Sequence, residues 1–421
     1  MSVHSETPTV TEEHVPTASR PSDLRITDLR VANVTGVPFR SSIIRIDTNQ
    51  GLVGYGEVRD QASATYALVL KSRLVGENPC NVDKIFRKIK QFGFHGRQGG
   101  GVSGVEMALM DLAGKAYGVP AYALVGGRFR DEIRCYADTP SLPDPEAMGA
   151  RLLERKQRGF TMLKMDVGID LLWDVPGALI APPGARADRT TMHPFTGIQV
   201  TAKGVDHLAS YVDTVRSVVG YDIALAADHF GHIALDSCIR IGRALEPFTL
   251  AWIEDLIPWQ LTDQWRQLTA AVTVPTCTGE DIYLLDAGAI RVVHPDPATA
   301  GGIAETKRLG DYAQERGVAM ALHLAASPIA TMACVHLAAA TENFLALEHH
   351  AAEVEFWSDL VTDLPRPLIQ DGHITVPDTP GLGFGDIDED LLSRHLDPRD
   401  PVFFAETTHW DGESSHDRLW S

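Results

Sequence analysis

Three apolar runs in the middle of the chain each lead directly into a carboxylate. The runs and their acids are Ile223 to Ala227 with Asp228, Phe248 to Asp255 with Glu254, and Val274 to Gly279 with Glu280. A run of this kind is typical of a buried parallel strand that carries a reactive group at its C-terminal end. The pattern predicts three such strands, with their acids at the same edge of one sheet.

The spacing between these acids is regular. Asp228 and Glu254 are 26 residues apart, and so are Glu254 and Glu280. That interval is about one strand, one helix and two short loops, which is the repeat of a β/α barrel. Three oxygen ligands from separate strands suit an octahedral Mg²⁺ with positions left for substrate. The alternative interpretation is three solvated acids on surface loops.

Strand and helix patterns alternate from about Ile133 to Glu348, and a different order precedes them. Residues 25–59 have strand patterns, and helical patterns follow them. Strands first and helices afterwards are typical of a separate α+β domain. We therefore predict a polar, disordered tail over residues 1–23, an α+β domain over 24–132 and the barrel over 133–380.

Residues 166–205 interrupt the alternation. The helix breakers in this stretch are Pro176, Pro182, Pro183, Gly184, Pro194 and Gly204. A segment this long and irregular between two barrel strands is either a lid over the site or a disordered insertion.

The composition excludes several classes of protein. No apolar run approaches the roughly 18 residues that span a bilayer. The N-terminus lacks the apolar core of a signal peptide, so we expect a cytoplasmic protein without a membrane partner. Five scattered cysteines without a CxxC pair favour reduced thiols. The net charge of −19 argues against nucleic acid as a partner. It would also repel a small anionic substrate unless a metal and local basic groups reverse the field at the site.

Later strands also end in groups that do chemistry. Asp296 is placed to orient His323 on the adjacent strand, which makes the imidazole a positioned base. Lys164 ends an early strand, where the field of a metal would lower its pKa and make it a base or an electrophile. Glu348 ends the last strand and, if protonated, is placed to donate a hydrogen bond to an oxyanion. Each of these residues has the alternative of a structural or solvated role.

Together these groups suit one elementary step. Mg²⁺ binds a carboxylate substrate, a base removes the proton α to the carboxylate, and the metal stabilises the resulting enediolate. The fate of that intermediate depends on the acid that faces it.

The same residues carry a resemblance. The matching pieces are Gly54-Tyr-Gly-Glu57, Val105 to Gly127, Lys164, the three acids Asp228, Glu254 and Glu280, the pair Asp296 and His323 with Gly301-Gly302, and Glu348. From about Ile26 to its C-terminus the chain resembles the enolase superfamily, mandelate racemase subgroup. Within that subgroup it is most similar to acid-sugar dehydratases, on account of the insertion after Lys164 and the DGESSHDRLW ending.

The resemblance implies an α/β fold, with an N-terminal α+β capping domain on a modified (β/α)7β barrel of the TIM type. It also implies Mg²⁺ bound by the three acids, and a C-terminal segment, residues 381–421, that returns to the capping domain. Such proteins often assemble into homo-oligomers, so we expect one here.

The chain departs from the subgroup's pattern in three places. Members often have Lys-x-Lys on the second barrel strand, but the second position here is Asp166. A histidine two positions after the first metal ligand is an acid or base in some related dehydratases, but that position here is Phe230. The candidates are then His229 and His232. The interval from Glu280 to Asp296 is short, which predicts a truncated helix between those strands.

Substrate contacts are expected from the loops at 37–42 and 92–101, which would cover the barrel mouth. The candidates are Arg40, Arg59, His95, Arg97, Asp166 and His232. Each has the alternative of an ordinary surface position.

These observations predict a Mg²⁺-dependent dehydratase of a small, anionic sugar acid. It would remove water across C2 and C3 to give a 2-keto-3-deoxy acid, with His323 as the base or as the acid that assists loss of hydroxide. One alternative is a cycloisomerase, epimerase or racemase that uses the same enediolate. The absence of a second lysine at Asp166 weakens the racemase alternative, since racemisation needs a base on each face. The other alternative is a non-catalytic relative that keeps the fold as a binding protein.

Overall fold

The computed structural model describes residues 19–93, 100–185, 197–228 and 233–412. Its first part is a three-stranded antiparallel sheet with four helices. The strands are β1 (Ile26–Val34), β2 (Ser41–Thr48) and β3 (Val53–Val58), and the helices are α1 (Thr65–Leu68), α2 (Lys71–Leu74), α3 (Val82–Ile89) and α4 (Gly101–Tyr117). Helix α4 packs on β3 so closely that a Cβ on Gly56 would lie 1.9 Å from the carbonyl oxygen of Gly104. This close approach explains why glycine occupies both positions, and the unit is the predicted capping domain.

The second part is a closed parallel barrel. The remaining strands are β4 (Glu132–Ala137), β5 (Met162–Asp166), β6 (Leu179–Ile180), β7 (Gln199–Val200), β8 (Ala224–Asp228), β9 (Ile253–Glu254), β10 (Thr276–Thr278), β11 (Val292–Val293), β12 (Ala319–Leu322), β13 (Phe344–His349) and β14 (His373–Thr375). The barrel order is β4-β5-β8-β9-β10-β11-β12-β13, and β13 pairs with β4 to close it. Strand β14 lies antiparallel against β4.

Seven helices connect the eight barrel strands. They are α5 (Pro145–Gln157), α6 (Ala202–Val219), α7 (Leu235–Leu245), α8 (Thr262–Ala271), α9 (Ile282–Asp286), α10 (Gly302–Gln314) and α11 (Pro328–Ala340), and α12 (Glu389–Arg394) follows the barrel. The prediction of a modified (β/α)7β barrel is therefore confirmed. In the described ranges, no helix is both long and apolar enough to span a membrane.

Side chains fill the interior of the barrel below its mouth. A buried cluster draws one residue from each barrel strand except β9, where the residue just before the strand, Trp252, takes part; the others are Tyr136, Met162, Ala226, Cys277, Val292, Ala321 and Ala346. A barrel packed in this way is closed at its centre, so chemistry is confined to the C-terminal ends of the strands.

Two details of the barrel bear on predictions made from the sequence, one about a strand and one about a helix. The predicted strand over Phe248–Asp255 is wrong at its start, because Glu246–Phe248 is a 3-10 turn and Thr249 has φ of 46°. A strand cannot continue through that left-handed backbone. The short Glu280–Asp296 interval does contain a truncated helix, α9, of 5 residues. The barrel nevertheless closes there, since β10 pairs directly with β11.

Part of the insertion at 166–205 lies in the described ranges. Strands β6 and β7 form a small antiparallel ribbon, and Thr201 donates from its backbone to Ala178 and starts α6. Ala178 is fully buried. These residues anchor the two ends of the insertion to the barrel, and a lid role stays a prediction.

Two buried carboxylates of the capping domain accept hydrogen bonds from the N-termini of barrel helices. Glu57 at the end of β3 accepts from the backbone amides of Ser327 (3.0 Å) and Ala330 (3.3 Å), which open α11. Glu106 on α4 accepts from Ile303 (2.7 Å) and Ala304 (2.9 Å), which open α10. Carboxylates suit these positions because the first amides of a helix have no partner within it. We refer to this boundary between the domains as the seam.

The chain after Gly381 runs back over the capping domain. Its backbone bridges β1 at Ala32 with Phe403, and Tyr55 donates from its hydroxyl to Asp386 at 2.8 Å. The end of the barrel chain is thereby held against the sheet that covers the barrel mouth.

Candidate active site

Lys164 lies at the centre of the barrel mouth. It is 1% exposed, and its Nζ lies 2.9 Å from Asp228 Oδ2 and 3.3 Å from Glu254 Oε1 and also contacts Glu348 Oε1. The strands that bring these residues together are far apart in sequence but close in the barrel. Asp138 Oδ1 lies 3.8 Å away, so one ammonium is surrounded by four buried carboxylates.

These contacts determine which charges the protein itself favours on Lys164 and Glu348. Burial disfavours the charge on Lys164, but Asp228, Glu254 and Glu348 outweigh it and hold its pKa well above the ordinary value. Burial likewise favours a neutral Glu348, but Lys164 and two nearby histidines outweigh it and keep the pKa of Glu348 well below its usual range. The protein's own charges therefore favour an ammonium on Lys164 and a carboxylate on Glu348. A lower pKa of Lys164 beside a bound metal and a protonated Glu348 stay predictions.

Asp296 and His323 form the expected pair. The Nδ1 of His323 donates to Asp296 Oδ2 at 3.0 Å, and Asp296 Oδ1 accepts from the backbone of Ala298 at 2.8 Å. Burial alone would raise the pKa of Asp296, but the contact with His323 lowers it overall. With Nδ1 fixed, Nε2 of His323 is the nitrogen left to face a substrate.

Glu254 is held from below by three buried rings. Trp252 donates from its indole to Glu254 Oε2 at 2.8 Å, and His294 Nδ1 lies 3.1 Å from Oε1. The other nitrogen of His294 lies 2.8 Å from the hydroxyl of Tyr136. The indole hydrogen bond therefore orients Oε2 before any ligand binds, and His294 adds a close contact at Oε1.

The predicted metal ligands offer only oxygen donors, which Mg²⁺ prefers. Asp228 and Glu254 are almost fully buried, and Glu280 at the next strand end accepts from the hydroxyl of Thr299 at 3.1 Å. At Lys164, buried carboxylates outnumber the ammonium four to one, so an added cation would relieve an excess of negative charge. The residues present fit a divalent cation.

The three predicted ligands are not a compact set in this structure. Within the described residues, the groups of three whose ligand atoms all lie within 4.8 Å of one another are Glu254 with Cys277 and His294, and His323 with Glu348 and His350. Both groups mix imidazole or thiol with carboxylate, which Mg²⁺ does not favour.

A cavity of about 500 Å³ opens above these groups. Its walls combine residues of the barrel mouth, α5 and the capping domain. They include Lys164, Asp166, Asp228, Glu254, Asp255, His323 and His350 from the barrel, Arg151 and Arg155 from α5, and Phe39, Arg59 and Asp60 from the capping domain. A space of this size suits a small polar molecule.

Comparison with known proteins agrees with the fold. A family described as "Enolase C-terminal domain-like" matches residues 147–391, and one described as "Mandelate racemase / muconate lactonizing enzyme, N-terminal domain" matches residues 11–126. The chain belongs to the enolase superfamily.

Relatives within the superfamily cover nearly the whole chain. A D-xylonate dehydratase of Haloferax volcanii is 33% identical over 402 residues, which is 91% of this chain and 92% of the relative. A D-galactonate dehydratase of Ralstonia nicotianae is 28% identical over 401 residues, or 89% and 96% of the two chains.

A solved structure is similar along its full length. The mandelate racemase/muconate lactonizing enzyme-like protein from Rubrobacter xylanophilus has a TM-score of 0.77 and 31% identity, with 90% of this chain and 99% of that chain covered.

The remaining predicted site residues fall into two groups. Asp166 ends β5 beside Asp228 and lines the cavity. Arg40 does not line the cavity, and its Nε pairs instead with Asp397 Oδ2 of the C-terminal segment at 2.6 Å. His95, Arg97, His229 and His232 lie outside the described residues.

Asp138 and His350 were missed by the sequence reasoning. Asp138 follows β4, and His350 follows β13. Asp138 ends an apolar run just as the three predicted ligands do, so the same pattern was available to find it. His350 stands two residues beyond Glu348, and only closure of the barrel brings it against Asp138.

Proposed function

We propose that this enolase-superfamily protein is a Mg²⁺-dependent dehydratase of a sugar acid. The observation that carries the proposal is the pair Asp296 and His323 on one side of the cavity, with Lys164, Asp228 and Glu254 at its floor. An imidazole oriented by a carboxylate removes a proton, and the floor receives a carboxylate substrate. The names of the similar relatives support a hydro-lyase that acts on acids such as D-xylonate or D-galactonate.

Each of the chain's own groups has a part in this proposal. Asp228, Glu254 and Glu280 would hold Mg²⁺, which when bound supplies positive charge to the substrate carboxylate as the adjacent proton leaves. Lys164 adds its ammonium to the same carboxylate. His323 takes the proton from C2 at Nε2, and Asp296 keeps the imidazole in the required tautomer.

The experiment is proton NMR in D₂O with Mg²⁺ on a panel of pentonates, hexonates and aldarates that includes D-xylonate and D-galactonate. Loss of the C2 proton signal with a new C3 methylene is the expected result for the wild type. His323→Asn should lose both changes, because it removes the base. The exposed His409→Asn should retain both, and EDTA should abolish them.

Two other outcomes would replace the proposal. Exchange of the C2 proton without a methylene would indicate an epimerase, racemase or cycloisomerase. No change with any acid, together with no Mg²⁺-dependent thermal stabilisation, would indicate a non-catalytic relative.

A further inference from the structure

A second imidazole–carboxylate pair lies at the barrel mouth, at the point where the barrel closes. Strand β13 pairs with β4 in parallel, with His349 opposite Ala137. The residues that follow these strands, His350 after β13 and Asp138 after β4, are therefore neighbours. His350 Nδ1 lies 3.3 Å from Asp138 Oδ2. The previous residue, His349, is turned into the core, where its ring lies 4.7 Å from that of Trp357.

The geometry at His350 repeats that at His323. In each pair Nδ1 faces a carboxylate that is 8% exposed or less. In each pair Nε2 faces Glu348, at 3.4 Å from Oε1 for His350 and at 3.8 Å from Oε2 for His323. The two rings are 6.0 Å apart.

The Nε2 of His350 is buried and has Glu348 as its neighbour, 3.4 Å from Oε1. It makes no aligned hydrogen bond with any described residue. The His350 side chain is 14% exposed and lines the cavity. Phe39 of the capping domain covers the ring at a centroid distance of 5.9 Å. The ring thus lines the cavity with Nδ1 beside Asp138 and with an Nε2–H that has no aligned hydrogen bond, so a substrate oxygen placed against the ring would give that N–H a better acceptor.

The charged groups around His350 keep it protonated. Asp138 and Glu348 contact its ring. Lys164, His349 and the capping-domain Asp60 are farther away and interact with His350 electrostatically. Burial opposes the charge, but Glu348 and Asp138 outweigh it and raise the pKa of His350 to about 9. His350 thus has a proton to give at neutral pH.

A dehydratase needs such a donor, because hydroxide leaves slowly unless it is protonated as the bond breaks. Lys164 is surrounded by four carboxylates, and Glu348 is ionised. The His350 imidazolium, by contrast, carries on Nε2 a proton that no aligned hydrogen bond holds in the described structure.

We propose that His350 is the general acid of the dehydration and that Asp138 is its positioning residue. The proposal rests on the dehydratase function. His323 takes the proton from C2, the C3–O bond breaks, and the proton on His350 Nε2 goes to the departing oxygen, which leaves as water. The enol product then gains a proton at C3 and loses its own hydroxyl proton. His350 regains a proton from solvent as His323 releases one, so that substrate equals product plus water.

The test separates removal of the C2 proton from loss of water. His350→Asn, with and without Asp138→Asn, is assayed in D₂O beside the wild type, His323→Asn and the exposed His409→Asn. We expect His350→Asn to exchange the C2 proton within about tenfold of wild-type turnover, while dehydration falls by about 10²-fold or more. Asp138→Asn alone should show a smaller loss of dehydration with exchange retained.

A substrate with a better leaving group sharpens the test. A 3-deoxy-3-fluoro analogue of the substrate acid loses fluoride, which needs no proton to leave. Fluoride release by His350→Asn should then return to within about threefold of the wild type. A role in folding or in binding alone would not produce this rescue.

Three results would overturn the assignment. Dehydration by His350→Asn at the wild-type rate would exclude it, and so would equal loss of exchange and dehydration. Failure of the fluoro analogue to rescue would exclude it as well, and the acid would then be sought at His229 or His232. A wild type that dehydrates no acid would overturn the proposed function itself, so the two failures are distinguishable.

Discussion

Buried carboxylates at the barrel mouth and at the seam meet different partners. At the mouth, Glu254 and Glu348 face the ammonium of Lys164. At the seam, Glu57 and Glu106 accept hydrogen bonds from backbone amides at helix N-termini, without a cationic side chain in contact in the described structure. All four carboxylates are about 1% exposed, so burial alone does not distinguish the two regions.

The pKa directions show what the partners change. Glu348 has a pKa well below its usual range, because nearby cations outweigh its burial. Burial raises the pKa of Glu106 to about 8, since two amide hydrogen bonds offset only part of that effect. The mouth therefore keeps fixed charges ready to meet a ligand, whereas the seam holds two domains together through carboxyl groups that need not be charged.

The largest test of this comparison removes the central ammonium. Lys164→Met leaves buried carboxylates without their cation, so we expect a loss of about 3–5 kcal/mol of unfolding free energy in the absence of metal. The control is Lys71→Met, which also removes a buried ammonium, one paired with Asp28 and Asp411 at 2.6 Å each. Urea unfolding with and without Mg²⁺ measures both.

Mg²⁺ should distinguish these two variants. It should restore part of the stability of Lys164→Met, because a divalent cation neutralises the same carboxylates, and it should leave Lys71→Met unchanged. Equal responses of the two variants to Mg²⁺ would contradict the assignment of the mouth as the cation site.

The barrel could be predicted from the sequence because the signals that indicate it are local. An apolar run, an acid after it and a repeat near 26 residues are all readable along the chain, and Asp228, Glu254 and Glu280 follow that repeat. The predicted start of the strand at Phe248 was wrong, and the reason is also local. Thr249 adopts a left-handed backbone that its apolar neighbours do not signal.

The site was harder to predict from the sequence, because its charge balance and the closure of the barrel depend on residues far apart in the chain. The raised pKa of Lys164 depends on carboxylates from three other strands. The Asp138–His350 pair depends on the contact between the first and last barrel strands, which are over 200 residues apart. The periodicity and spacing of the sequence locate the end of each strand. The direction of a pKa shift, however, depends on which strand ends lie next to one another in the folded barrel.

A glycine at the seam offers a smaller test. Gly302 has φ of +79°, and a Cβ there would lie 1.9 Å from Glu106 Oε2. Gly302→Ala should lose about 1–2 kcal/mol for the left-handed backbone and more for displacement of the carboxylate. Gly288→Ala is the matched control, since Gly288 has φ of +59° and a Cβ added there would meet nothing within 4 Å.

The excess loss in Gly302→Ala over Gly288→Ala measures the contact with Glu106. That excess should shrink when Glu106 is replaced by alanine, because the shorter side chain leaves room for the methyl group. An excess that persists in the Glu106→Ala background would show that the backbone, and not the carboxylate, is responsible.

The last test concerns the pH dependence of the seam. The pKa of Glu106 is raised from 4.5 to about 8 on folding, so the unfolded state releases this proton at lower pH than the folded state does. Between these two values the folded state binds the extra proton, and the contribution of Glu106 to stability falls as pH rises, by up to about 1.4 kcal/mol per pH unit. Above pH 8 the loss is complete and constant.

Glu106→Gln removes this dependence, because an amide does not titrate. The variant should be less stable than the wild type by about 1–2 kcal/mol at pH 5, since one backbone amide of α10 then faces the NH₂ group of the substituted side chain rather than an acceptor. The deficit should close, or reverse, toward pH 8, where the wild type has lost its contribution from Glu106. Urea unfolding of both proteins across this range measures the difference. A deficit that stays constant with pH would mean that Glu106 is ionised in the folded protein, and the contrast between the seam and the mouth would then disappear.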